Sequence, residues 1–170
     1  LYGADEHNRT QPQMVEGHRV EQDGRQWTLT LREGLRFHDG SPVLARDVVA
    51  SVKRWWKRDN VGQVLAAITD ELSAASDREV RFRLKSPFPM LPDALGKFGT
   101  NNAVIMPERL ALTEATVQVT EMVGSGPYRF VADERVPGSR LVYAKFDGYV
   151  PRQSGTTSAL SGPKIAHFDR

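Results

Sequence analysis

The sequence predicts a mixed α/β unit with a largely antiparallel sheet, two β-hairpins and two to three helices. Three observations carry that reading. Two pairs of runs alternate apolar and polar residues across short turns, Thr69 to Ala75 with Glu79 to Leu84 and Tyr128 to Ala132 with Arg140 to Phe146, which is the hairpin pattern. Trp27 to Leu31 alternates in the same way. Between Ala45 and Trp56 the apolar residues instead recur at spacings of three, four or seven, the stripe of an amphipathic helix.

Taken in order, Leu1 to Glu21 is polar and weakly periodic, so it reads as extended loop with at most a short strand at Met14-Val15. Asn8-Arg9-Thr10 matches a glycosylation tripeptide that is common by chance. Glu21 to Arg25 makes a hairpin turn into the Trp27 strand. Glu33-Gly34 turns the chain, Leu35 and Phe37 resume the alternation, and His38-Asp39-Gly40-Ser41-Pro42 supplies an Asp-Gly turn before a helix starting near Ala45. Val48, Val49, Val52, Trp55 and Trp56 form its buried stripe, while Arg46, Ser51, Lys53, Arg54 and Lys57 face water. Asp47 in the first turn and the cations of the last suit the helix dipole.

Beyond the helix, Asp59 to Gly62 breaks the pattern and Gln63 to Ile68 adds a turn of helix. Ser76-Asp77-Arg78 joins the strands of the first hairpin, and Ser86-Pro87-Phe88-Pro89 stops it. Met90 to Phe98 places Leu91, Ala94, Leu95 and Phe98 on one face of a short helix. Ala103 to Met106 is suited to a buried strand, and Pro107 opens a helical turn through Leu112. Thr113 to Val123 matches no single template. Pro137-Gly138-Ser139 turns the second hairpin, residues 153–162 are rich in Ser, Thr and Gly and read as a mobile loop, and Lys164 to Phe168 restarts a strand.

A chain of 170 residues, 39% hydrophobic, supports one core of ordinary size, so residues 1–170 are taken as a single domain. The 23 basic and 21 acidic residues leave +2 with the signs interspersed, which argues against a nucleic-acid face. No cysteine means no disulfide, thiolate metal site or cysteine nucleophile. No apolar run is long enough to span a membrane. The first residue is Leu1 and not methionine, which suggests a fragment or processed form.

The chemistry-bearing residues are sparse. Gly124-Ser125-Gly126 resembles half of a nucleophile elbow, but Val123 stands where the elbow needs glycine and Pro127 precludes the following helix. A phosphate loop would need a third glycine and a helix N-terminus. His7, His18, His38 and His167 lie far apart and outside any metal-ligand spacing, so no cofactor or metal is expected. The pairs Asp70-Glu71 and Asp133-Glu134 point to opposite faces as strand neighbours and cannot share a substrate. These residues describe a non-enzyme.

Leu31 to Pro42, followed by Ala45-Arg46-Asp47-Val48-Val49-Ala50-Ser51, closely resembles the signature of the family 5 extracellular solute-binding proteins, the dipeptide and oligopeptide receptors of ABC importers. Glu79 to Pro87 looks like that family's hairpin strand before a proline. Gly124-Ser125-Gly126-Pro127-Tyr128-Arg129-Phe130 is similar to its Gly-Thr-Gly-Pro-Tyr motif, and Val142 to Tyr149 follows where members carry Arg-Asn-x-x-Tyr. Leu44 departs from a usual helix-capping Thr, and Phe146-Asp147 from the usual Arg-Asn.

The resemblance implies part of the first lobe of a two-lobed, periplasmic-binding-protein-like fold. It implies a bacterial receptor, periplasmic or extracellular and membrane-anchored, that closes on a small solute such as a peptide and delivers it to an ABC permease in the inner membrane. This chain would then supply one wall of the ligand cleft, with Gln63, Gly99, Thr100, Asn101 and Asn102 as its wall residues. Two other readings remain open. One is an exported hydrolase using His38, Asp39 or Ser125, and the other is a standalone protein-interaction module.

Overall fold

The computed structural model describes every residue except Phe98, Thr100 and Ala159. Its centre is a four-stranded antiparallel sheet of β3 (Val15–Glu21), β4 (Gln26–Leu31), β5 (Thr69–Ala74) and β6 (Glu79–Leu84), in the order β3-β4-β6-β5. Register puts Trp27 between Val20 and Phe82, and Leu29 between His18 and Val80. One face is therefore built from Trp27, Leu29, Val80, Phe82 and Leu72, all buried. The central helix α1 (Ala45–Trp55) buries Val48, Val52 and Trp55 in the same cluster. Trp56 and Val49 pack at its margin, as the spacing of the stripe predicts.

Smaller elements surround this core. Strands β1 (Tyr2–Ala4) and β2 (Thr10–Pro12) pair with each other, as do β7 (Tyr128–Phe130) and β8 (Tyr143–Lys145). Helices α2 (Asn60–Ile68), α3 (Leu91–Leu95) and α4 (Glu108–Ala111) are short, and no helix of the described residues is long and apolar enough to cross a membrane.

Four expectations are corrected. The amino-terminal stretch holds three strands. Its longest, β3, lies at the sheet edge and buries only Val15, so it carries little of the apolar alternation that marks a half-buried strand. Ala103 to Met106 buries Ala103 and Ile105, but it pairs with no strand among the described residues and its main chain is held by a side chain of α1. The helix expected over Met90 to Phe98 is α3 alone, closing at Gly96, and Phe98 lies outside the described residues. Lys164 to Phe168 forms no strand among the described residues. Its neighbourhood contributes two links to the β7–β8 pair, from the Lys145 amide to the Asp169 carbonyl at 2.9 Å and from the Phe168 amide to the Tyr128 hydroxyl at 3.2 Å, and Ile165 and Phe168 are exposed.

Two glycines are required by their surroundings. Gly40 sits at φ 85° in the turn before α1, where the Asp39 carboxylate accepts from the Ser41 amide at 3.0 Å and its hydroxyl at 2.6 Å. Gly62 lets α2 approach α1, because a Cβ there would lie 2.6 Å from the Trp56 Cα and 3.2 Å from the Trp55 ring. Backbone cannot yield as a flexible side chain can. Gly62→Ala is therefore expected to destabilise the chain by about 1–3 kcal/mol through overpacking, whereas alanine at exposed Gln63 changes little. Urea unfolding of the two variants checks this.

Candidate functional site

Helix α1 carries a second working stripe, and it is polar. Asp47 and Ser51, both buried, stand one turn apart, with Arg54 and Trp55 a turn further on. Asp47 accepts from the Leu44 amide at 2.7 Å through one carboxylate oxygen, and from the Glu108 amide at 2.7 Å through the other. Leu44 has no side-chain acceptor, so only the acid's half of a capping box exists. The Ser51 hydroxyl donates to the Met106 carbonyl at 3.1 Å and accepts from its amide at 3.0 Å. Arg54 donates to the carbonyls of Thr113 and Val117, and the Trp55 indole N–H donates to the Asn101 carbonyl at 2.5 Å. Ser51 and Arg54 thus face the segment after Asn101, contrary to the solvent-facing assignment. Hydropathy alone does not separate a polar side chain turned to water from one turned to backbone.

The other end of that segment is tied to α2. Asp59, 3% exposed, accepts from the Val61 and Gly62 amides at 2.9 and 3.0 Å and takes the Lys97 ammonium on its second oxygen. Burial works against its charge, but Lys97 and the helix amides outweigh burial and hold the carboxyl below its ordinary range. Four anchors therefore hold Lys97, Asn101, Met106 and the start of α4 at Glu108, and the irregular stretch from Asn101 to Met106 stands as a ridge between two hollows, with Asn102 and Val104 lining both.

The first hollow, about 460 Å³, includes Tyr2, Arg32, Asn102, Ser125 and Tyr149 in its lining. The second, about 380 Å³, includes Trp55, Arg58, Asn101 and Asn102. Asn102 borders both and Asn101 the second. Gly99 is exposed with φ 124°, Gln63 lies exposed on α2 and lines neither hollow, and Thr100 is outside the described residues. Tyr2, Arg32 and Tyr149 were not singled out by the sequence. They come to the hollow from β1, from the end of β4 and from the turn after β8, segments that only the tertiary fold unites.

His38 joins the two most distinctive motifs. The Gly124 amide donates to its Nδ1 at 3.2 Å, its Nε2–H donates to the Gly126 carbonyl at 3.1 Å, and its own amide donates to the Gly124 carbonyl at 2.8 Å. The Phe146 ring meets it edge-on at 5.2 Å. These partners define the neutral tautomer, since Nδ1 must accept. They also leave no ring nitrogen for Ser125, while Asp39 is engaged by Ser41 and Arg109. The hydrolase reading therefore lacks its nucleophile–base contact. Among the described residues no three His, Asp or Glu side chains are grouped to hold a metal.

Burial lowers the His38 pKa; the Gly126 contact and Asp39 oppose this, and Arg129 adds to it. The sign follows: a depressed imidazole costs no stability above its unfolded value of about 6.5, a growing amount as pH falls below that, and a constant amount once pH passes the folded pKa. The gap in melting temperature between the wild type and His38→Gln, which cannot be protonated, is expected to narrow from about pH 7 to 5 as the wild type loses stability. A gap constant with pH would contradict this account of the clamp.

The profile of the bacterial extracellular solute-binding proteins, family 5 Middle, matches residues 9–170. The chain belongs to this family. It is 38% identical over 170 residues to a probable peptide ABC transporter periplasmic-binding protein, y4tO, of Sinorhizobium fredii, covering all of this chain and 31% of that protein. It is 30% identical over 152 residues to the glutathione-binding protein GsiB of Pectobacterium atrosepticum, covering 88% of this chain and 28% of that protein. In structure it resembles the binding protein AgaA of A. tumefaciens R10 in complex with agropinic acid, with TM-score 0.70 and 25% identity over 88% of this chain and 30% of AgaA. It resembles NikZ of Campylobacter jejuni in complex with Ni(L-His), with TM-score 0.71 and 22% identity over the same shares. The chain thus spans about a third of the relatives it matches. The matched family is one of extracellular solute-binding proteins.

Proposed function

We propose that this chain is the part of a bacterial ABC-importer receptor that forms one wall of its solute cleft, with the rest of the receptor closing on the opposite side. The observation that carries this is the ridge at Asn101 and Asn102, an irregular, polar stretch held in place by Asp47, Ser51, Trp55 and Asp59 between two open hollows. A rigid scaffold presenting side-chain amides at a concave surface suits capture of a small solute with peptide-like hydrogen-bonding groups. The names of the relatives, peptide-binding and glutathione-binding, support a peptide or a related small molecule. In the complete receptor the solute would be held between lobes outside the cytoplasmic membrane and released to the permease on opening.

Asn101→Ala with Asn102→Ala in the complete receptor tests the assignment. Loss of one or two solute hydrogen bonds should weaken binding of tri-alanine about tenfold, with the ligand-free melting temperature lowered slightly, because Asn101 holds φ 55°, a conformation that asparagine tolerates better than alanine. Unchanged affinity would remove the ridge from the cleft.

A further inference from the structure

One wall of the first hollow is fastened through a titratable ring. Gly124, Ser125, Gly126 and Pro127 line that hollow together with Asn102 and Val104 of the ridge. His38 stays outside the lining and holds the loop at two points, taking the Gly124 amide on Nδ1 at 3.2 Å and giving Nε2–H to the Gly126 carbonyl at 3.1 Å. The two contacts respond oppositely to a proton. The Gly126 carbonyl accepts from the ring in either state, but a proton on Nδ1 removes the acceptor of the Gly124 amide and sets two donors against each other. Among the described residues that amide has no other acceptor.

The charged groups around the ring differ in sign. Asp39, on the same turn, favours the charged ring, and Arg129 on β7 opposes it. Glu121 borders a second, apolar hollow shared with His38 and is engaged by Arg109; Tyr128 and Tyr143 of β7 and β8 share that hollow, and the Phe146 ring edge meets the imidazole from the end of β8. Burial tips the balance toward the neutral ring, so the loop is fastened at pH 7 and the proton arrives only below the ordinary imidazole range of about 6.5.

We propose that His38 is a proton-operated latch on the solute cleft: protonation in mildly acid medium releases the Gly124 amide, loosens the Gly124–Pro127 wall and weakens the hold on the solute. The inference rests on the reading of this chain as a cleft wall and adds a regulation of that wall. By reciprocity, a solute that needs the fastened loop excludes the proton, so binding in medium below about pH 6.5 releases protons.

Calorimetry of the complete receptor with tri-alanine at pH 7 and pH 5 tests the latch. The wild type is expected to bind about fivefold more weakly at pH 5, the loss of one hydrogen bond, and to release protons on binding there. His38→Asn, whose amide oxygen can stand where Nδ1 stands, and His38→Gln keep every other titration of receptor and solute, and neither should share the drop. In the ligand-free wild type the Gly124 amide should lose hydrogen-exchange protection, relative to its unfolded rate, from pH 7 to pH 5 and keep it in His38→Asn. Equal drops in all three proteins, no drop in the wild type, no binding of tri-alanine at pH 7, or a Gly124 amide that loses protection while affinity holds overturns the latch. The cleft-wall reading is judged separately, at pH 7, by the Asn101→Ala, Asn102→Ala variant.

Discussion

Replacing Trp55 with alanine is expected to lower stability by about 3–5 kcal/mol, the cost of emptying a large aromatic site in a packed core. Trp55 is 7% exposed, belongs to the central cluster, lies against the Gly62 backbone and also donates to the Asn101 carbonyl. One side chain thus closes the core and fastens the ridge. Trp55→Phe separates the roles, because it retains most of the bulk and loses only the indole N–H, at a cost nearer 1 kcal/mol. Guanidinium unfolding measures both. A phenylalanine variant as unstable as the alanine one would mean that the hydrogen bond, and not the packing, dominates.

Asp47→Ala is expected to rank next, at about 2–4 kcal/mol, because it strands two backbone amides, those of Leu44 and Glu108, that now donate to a charged acceptor. Its effects should reach α4 and the Met106 segment as well as the start of α1. Asp47→Asn should recover only part of the loss: its oxygen can accept one amide, while its NH₂ opposes the other. Faster amide exchange at Glu108 in the alanine variant, together with the drop in unfolding free energy, checks the bridge. A loss confined to the first turn of α1 would contradict it.

What the sequence made legible followed from burial on one face. The α1 stripe and the β5–β6 hairpin announce themselves because Val48, Val52, Trp55, Val80, Phe82 and Leu84 are all buried at the period of their element. Strand β3 did not, because an edge strand with one buried residue satisfies its backbone through β4 and needs no apolar alternation. The short β1–β2 pair is equally silent. The orientation of Ser51 and Arg54 was misread because their partners are main-chain groups 55 to 63 residues away, and such distant pairings leave no local pattern. For the candidate site, the position of the irregular stretch before Ala103 pointed to Asn101 and Asn102. Arg32, by contrast, sits inside a motif whose periodicity speaks only for a strand end, and its hollow exists only once Tyr2, Lys164 and Tyr149 have been folded against it.

The most direct measurement is a crystal structure of the complete receptor holding the solute with which it purifies. A solute in hydrogen-bond contact with the Asn101–Asn102 ridge, enclosed by the remainder of the receptor, is the predicted result. A solute bound wholly within the other part of the receptor, with the ridge turned to solvent or packed as an ordinary internal loop, would contradict it.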